Sequence, residues 1–293
     1  VLGVIRPSHD SGAALIKDGV LVGAIEEERL NHDKHTNVYF PKQATRYLLE
    51  AHGLTWKDID HIAINYAYNF FLETLRSPAP HHVYRQKYGL PFKKSYLRYD
   101  INQLQIFLDE MAMSYGTRYV PPVTFVKHHK AHAAAAYYSS GFREPTLVVS
   151  IDGQGEDEST TIWVAKDGKL EKIARTTPFT YSLGHFYHIV TVYLGYKRND
   201  EGIVMGYAPY GAPRNMQEEK VVSQLRDLMK EMIWFDRSTQ QLRMNMNDFE
   251  FTANTILPGV GFSASFLHRL GKIVPPMPAG KTGRDLTPED RGM

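Results

Sequence analysis

Two histidines four apart, His128 and His132, stand in a run of good helix formers, HHKAHAAAAYY. Four residues make about one helical turn, so both imidazoles face one way, a usable spacing for two ligands of one metal ion. After this helix an apolar run, Leu147 to Ile151, stops at Asp152-Gly153-Gln154-Gly155-Glu156. An apolar strand that ends in an acid puts a carboxylate at the edge of a sheet, and the glycines let a ligand approach the backbone. Two histidines and an aspartate could thus converge on one cation, beside a loop suited to phosphate. Plainer readings exist: packed histidines in an Ala-rich helix, and a tight turn at DGQG. It is the pairing of the two motifs that favours a site. His129 points elsewhere on the helix and reads as a supporting or surface residue.

Composition narrows the chemistry. The chain has no cysteine, which excludes disulfides, thiolate metal sites and a cysteine nucleophile. A metal must then be held by His and carboxylate, which suits iron or zinc with open positions. The net charge of +2 argues against a nucleic-acid footprint. No apolar run approaches the roughly 20 residues of a membrane span, and no secretory leader is visible, so a cytoplasmic protein is expected. The sequence starts without Met, which suggests that its first residues are missing.

The elements that must position these residues follow from periodicity. Val1–Ile5, Ala13–Ile16 and Val20–Ile25 are β-prone, the last two joined at Lys17-Asp18-Gly19, a hairpin signal. Glu26, Glu27 and Glu28 read as a polar strand end, and Asn31 to His35 as a loop. Pro41 opens a helix that Gly53 stops. A strand at 59–66, an aromatic excursion at 68–100, a helix at 101–113 and a strand at 121–126 precede the histidine helix. The order β-β-β-α-β-α-β-α is that of a ribonuclease-H-like fold, the unit of actin-like ATPases. The pattern then restarts: strands from Leu147 and Ser159, a turn at Lys166-Asp167-Gly168, and a third strand from Leu170. An α/β, duplicated fold is expected, with a first unit at 1–144 and a second at 145–293. The second stays incomplete: a helix at 181–193, a glycine-punctuated loop at 199–211, an insertion at about 212–274 and a linker at 275–293. Two facing units leave a cleft for ligands.

Six motifs carry a resemblance: SHDSGAALIKDG, EEERLNHDKH, FVKHHKAHAAAAYY, VVSIDGQGEDE, YSLGHFYHIVTVYLG and EGIVMGYAPYG. In this order they resemble the O-carbamoyltransferases of the NodU/CmcH type, which include the enzymes that carbamoylate nodulation factors, cephamycin and tobramycin. The resemblance runs from Val1 to about Gly211. Residues 212–293 match poorly, as a variable insertion would. It implies an amino-terminal module like the tRNA threonylcarbamoyltransferase catalytic subunit, with an iron or zinc ion and magnesium as a further cation candidate. It also implies a carboxy-terminal module, not found in these residues, that makes carbamoyladenylate from carbamoyl phosphate and ATP. The carbamoyl group then passes to the hydroxyl of a small-molecule acceptor such as a sugar or other natural product. On this resemblance His128, His132 and Asp152 are metal ligands, and a fourth, a later aspartate, is missing here. Attack by an alcohol needs a base, for which His9, with Asp10 beside it, is the candidate; the alternative is a turn histidine. Lys34 is the candidate for phosphate or carbamoyl contact, or a solvated loop lysine. Gly153, Gln154, Gly155 and Glu156 are candidates for nucleotide contact. Gly202, Met205 and Gly206 line the same cleft or form a structural loop. His185 and His188 read as packing residues.

Other readings stay open. A zinc peptidase needs Glu directly after the first histidine, and here His129 follows His128. A sugar kinase needs no His-His-Asp site. A nucleotide-binding module without carbamoyl chemistry is the non-enzymatic alternative. Threonylcarbamoyl transfer to tRNA fits poorly with the modest charge.

Overall fold

The computed structural model describes residues 1–5, 10–36, 38–65, 105–114, 116, 121–143, 145–156, 158–176, 182–197, 200–239, 241–252 and 259–274. His9, the excursion at 68–100 and the linker at 275–293 lie outside them. The β-prone runs form strands β1 (Leu2–Ile5), β2 (Gly12–Lys17) and β3 (Val20–Glu26), an antiparallel meander. Its hairpin turns at Asp18 and Gly19, with φ of 52° and 80°. Two left-handed residues in a row are what a type I′ turn requires, and Asp-Gly accepts that at least cost. Strands β4 (Ile62–Asn65) and β5 (Val123–Val126) add in parallel on the far side of β1, giving the order β3-β2-β1-β4-β5. A meander extended by two parallel strands is the arrangement of a ribonuclease-H-like fold.

Short helix α1 (Glu28–Asn31), helix α2 (Lys42–Ala51) and helix α3 (105–114) cover this sheet. Alternate residues Leu2, Val4, Ile62 and Ile64 meet Ala44, Leu48, Leu49, Phe107 and Met111 in the first core. The acidic run is not a polar strand end: Glu27 and Glu28 are buried. The Glu27 carboxylate accepts the N–H groups of Gln43 (3.1 Å) and Ala44 (2.7 Å). Helix α2 begins after Pro41, which offers no side-chain cap. Glu27 therefore caps it from a distance, satisfying two of its free donors and opposing its dipole. Glu27→Ala leaves those donors without an acceptor and is expected to cost about 2 kcal/mol of stability, read as a lower urea midpoint.

A second meander, β6 (Thr146–Gly155), β7 (Glu158–Lys166) and β8 (Lys169–Thr176), turns at Asp167 and Gly168 with φ of 51° and 71°. The repeated Lys-Asp-Gly thus makes the same turn at the same place in both meanders. Strand β6 does not end at Asp152. It continues to Gly155, which pairs with Glu158, with an irregularity after Ile151. The expected phosphate loop is a bulged strand end.

The histidine helix α4 (His128–Ser140) leaves β5 of the first sheet but packs on the second. Ala133 and Tyr137 bury against Val148, Trp163 and Ala165. Helix α5 (Leu183–Tyr193) follows. The segment expected as a loop at 199–211 is instead helix α6 (Glu201–Tyr207) and a 3-10 turn, Ala208–Gly211. An acid in the first turn and the Ile203-Val204-Met205 run outweigh the roughly 1 kcal/mol cost of each helical glycine. Helix α7 (Met216–Met232) leads to two hairpins, β9 (Ile233–Asp236) with β10 (Gln241–Met244) and β11 (Phe249–Thr252) with β12 (Gly259–Phe262), and then to α8 (Ala264–Gly271). The insertion has a core of its own. Leu228, Met232, Met244, Phe249, Phe262, Phe266 and Leu270 gather on Ile189 of α5.

Candidate metal centre

Strands β1, β4 and β5 are parallel and end in step, with Ile5 beside Asn65 and Asn65 beside Val126. Ligands of open α/β sheets collect outside such carboxyl ends. Only Lys127 separates β5 from His128, the first residue of α4. His132 follows one turn later, and β6 supplies Asp152 opposite them. His128 Nε2 lies 2.6 Å from Asp152 Oδ2. His132 Nε2 lies 2.9 Å from His128 Nε2 and 3.6 Å from Asp152 Oδ2. A tetrahedral ion with bonds of about 2.1 Å holds its ligand atoms about 3.4 Å apart, within the range of these separations. Two imidazoles and one carboxylate suit zinc or ferrous iron and leave coordination positions open.

The electrostatics agree with a ligand carboxylate. Burial alone would raise the Asp152 pKa. Hydrogen bonds from His128 and His132, the charge on His128 and the Gly153 N–H outweigh it and hold the group well below the usual carboxylate range. His129 is fully buried, and its Nε2–H donates to the Ser159 carbonyl at 3.0 Å. Burial pushes its imidazole pKa down. It is a neutral anchor between α4 and β7, a supporting residue and not a surface one.

Two glycines let both helices close on β6. A Cβ on Gly155 would lie 2.4 Å from Cδ2 of His128, and one on Gly184 would lie 2.4 Å from the Gly153 nitrogen. Ser182 caps α5 by accepting the His185 N–H, and its hydroxyl donates to the Gly153 carbonyl at 2.7 Å. Glu156, expected to meet nucleotide, is fully buried, and both its carboxylate oxygens accept the His128 N–H, at 3.0 and 3.3 Å. Gly155 and Glu156 thus seat and cap the histidine helix, which corrects their expected role. No local pattern announces either job, because the partner is 28 residues away.

Asp10 and Lys34 come together at the first sheet. Asp10 Oδ1 lies 2.8 Å from Nδ1 of His35, and Lys34 Nζ lies 3.5 Å from Glu28 Oε1. The His35 N–H donates to Glu28 Oε2 at 2.9 Å and, against burial, does most to lower the Glu28 pKa, with help from Lys34 and Arg29. Glu28 and His35 were both in the EEERLNHDKH motif, but only their packing distinguishes them. Gly202, Met205 and Gly206 lie on α6, where Met205 is exposed. That helix is tied to α5 by a hydrogen bond between His188 Nδ1 and Glu201 Oε1, 2.7 Å apart, so His188 does more than pack.

The family described as Carbamoyltransferase N-terminus matches residues 1–268. The match continues well past Gly211, so most of the insertion belongs to the family pattern, contrary to the expectation of a variable segment. An uncharacterized protein of Synechocystis sp. is 31% identical over 279 residues, 91% of this chain and 42% of that protein. Nodulation protein NolNO of Sinorhizobium fredii is 36% identical over 206 residues, 70% of this chain and 28% of that protein. The chain thus spans less than half the length of these relatives. Among solved structures, YeaZ from Pseudomonas aeruginosa overlaps at a TM-score of 0.32 and 17% identity, over 60% of this chain and 66% of that one; an overlap this weak adds nothing to the strand order. Among the described residues no helix is long and apolar enough to cross a membrane. Both the match over residues 1–268 and the nodulation relative lead to one conclusion: the chain belongs to the NodU-type carbamoyltransferase family and corresponds to that family's amino-terminal part.

Proposed function

We propose that this chain is the transfer part of an ATP-dependent O-carbamoyltransferase. It takes carbamoyladenylate, made from carbamoyl phosphate and ATP elsewhere in the longer polypeptide, and passes the carbamoyl group to a hydroxyl of a small-molecule acceptor. The observation that carries this is the convergence of His128, His132 and Asp152 in a chain of this family. A divalent ion, iron or zinc, held by these three would supply Lewis acidity toward a carbamoyl or phosphate oxygen. Asp152 stays ionised for this, and His129 and Glu156 hold α4 in place. Lys34, exposed and paired with Glu28 at the end of the sheet where α4 starts, offers a positive charge to phosphate. Gly153 and Gln154 are the remaining strand-end candidates for nucleotide contact, with Gly202, Met205 and Gly206 on α6 as outer ones. The two Lys-Asp-Gly meanders support a duplicated fold, with units at 1–144 and 145–293 and the site between them.

The test is pyrophosphate release from ATP by the full gene product with and without carbamoyl phosphate. Release that requires carbamoyl phosphate is expected. Release or phosphate transfer that ignores it, with metal and substrates present, would leave a kinase or a nucleotide-binding module.

A further inference from the structure

Among the described residues, metal-ligating side chains converge at a second place, on the first sheet. Asp10, Glu28 and His35 each offer a ligand atom, and these atoms all lie within 4.8 Å of one another. The three come from the residues before β2, from α1 and from the loop after it. Their neighbours in sequence bring them together. The Ser11 N–H donates to the Thr36 carbonyl at 3.0 Å, and the Ser11 carbonyl accepts the Glu27 N–H at 2.8 Å. Ser11, Glu27 and Thr36 are all buried, so this clasp belongs to the core and exists before any ligand arrives. Asp10, Glu28 and His35 each adjoin one residue of the clasp. Fixed neighbours of this kind hold a ligand set in place in advance.

Asp10 Oδ1 and His35 Nδ1 are 2.8 Å apart. Adjacent ligand atoms of an octahedral ion with bonds of about 2.1 Å lie roughly 3.0 Å apart. Glu28 faces them with a side chain only 8% exposed. Its Oε2 accepts the His35 N–H at 2.9 Å, whereas the partners of Oε1 among the described residues are Lys34 Nζ at 3.5 Å and Arg29 Nη2 at 3.6 Å. Charge-assisted hydrogen bonds of this type run about 2.7–2.9 Å. A nearly buried carboxylate oxygen is thus left with two distant cations, and a buried charge without a close partner is costly. An ion bound here removes that cost. Lys34 and Arg29 are exposed, and Arg29 has a closer partner in Glu26, at 3.2 Å. Both can withdraw toward water when an ion enters. Asp10, Glu26 and Glu28 against these two cations leave one negative charge around the site.

We propose that Asp10, Glu28 and His35 form a second divalent-cation site. One imidazole and two carboxylates suit a first-row ion such as manganese, iron or zinc better than calcium, which takes oxygen alone. The Asp10 and His35 side chains are 36% and 41% exposed, so the ion sits at the surface, with its remaining positions filled by water or by an oxygen of a bound ligand. The site is separate from the His128–His132–Asp152 centre. Strands β1 and β4 stand between β2 and β5, which puts about 14 Å between the strands that carry the two clusters. One ion cannot serve both, and the second site does not depend on the transferase reading.

The experiment titrates the full gene product, stripped of metal, with manganese(II), and counts bound ion from the loss of the free-ion EPR signal. H35A and D10N are each expected to lose one equivalent, or to bind it more than about 100-fold more weakly, since even groups that merely orient ligands are worth roughly 10–100-fold. H132A keeps that equivalent, so failure of the first centre and failure of this one are read separately. Pulsed EPR of the manganese in H132A/D152N shows coupling to an imidazole nitrogen, which H35A removes. Manganese also raises the urea midpoint of H132A/D152N but not of that variant with H35A added. H35A and D10N that bind as many equivalents as the wild type, equally tightly, overturn the proposal and leave an Asp–His hydrogen bond only. So does a bound ion without the nitrogen coupling. So does loss of every equivalent in both variants with a lowered metal-free urea midpoint, which marks damage to the fold.

Discussion

Replacing His132 with alanine is expected to empty the metal site and abolish carbamoyl transfer while sparing carbamoyl-phosphate-dependent pyrophosphate release. Of the three proposed ligands His132 is the suitable one to remove, because its side chain is 54% exposed and its contacts run to His128 and Asp152. Alanine also favours the helix, so the fold should tolerate the change. His128 is a poorer choice: its ring sits against Gly155, and its loss leaves a gap beneath α4. With one of three protein ligands gone, bound metal measured by elemental analysis should fall to a small fraction of the wild-type content. Transfer should fall by more than about 100-fold, since even the removal of groups that merely orient ligands costs roughly 10–100-fold. Metal retained at the wild-type level would mean that the three residues are not its ligands. Loss of pyrophosphate release together with transfer would assign the ion to the adenylate-forming step instead.

The parts of the fold that sequence could reveal are those set by near neighbours. The two Asp-Gly hairpins are legible because a two-residue turn fixes its own φ values. The β1–β4–β5 order follows from short apolar strands separated by helices. What escaped depends on partners far along the chain. Glu27 looks like a solvated acid until α2 folds over it and offers two N–H groups. Helix α6 escaped because two glycines in seven residues read as a loop, whereas its tie to α5 through Glu201 and His188 is tertiary. The insertion's pieces look weakly patterned because each is short. Their apolar residues make sense only once Phe249, Phe262 and Phe266 meet on α5.

The site divides the same way. His128 and His132 are readable from a four-residue spacing, and Asp152 from its place after an apolar run. That the three meet is a consequence of α4 leaving the first sheet and packing on the second, through Ala133 and Tyr137. A boundary drawn at residue 144 by sequence pattern would therefore cut between the histidines and the strand they pack on. The Asp10–His35 pair was hidden for the same reason: 25 residues separate the two side chains, and a loop histidine beside an exposed lysine carries no sign of its partner.

Gly155→Ala is the second change expected to have a large effect, and it removes no candidate ligand. The added methyl would sit 2.4 Å from Cδ2 and 2.7 Å from Cβ and Cγ of His128. These atoms are not the free end of a flexible chain. The Cβ is bound to the helix, and the His128 N–H is held by Glu156. Relief therefore requires α4 to back away from β6 by about 1 Å, to reach ordinary contact. A displacement of that size costs on the order of 100-fold when it misplaces a reacting group, and overpacking of this kind costs about 1–3 kcal/mol of stability. Metal affinity and transfer should fall together, with a lower urea midpoint. Gly153→Ala is the internal comparison, since its methyl would meet nothing closer than His185 Nε2 at 3.9 Å, an ordinary contact. If both variants bound metal as the wild type does, His128 would have room to shift, and the close seating of α4 on β6 could not be what sets the ligand geometry. If only Gly155→Ala loses the metal, the glycine is there because the histidine needs its space.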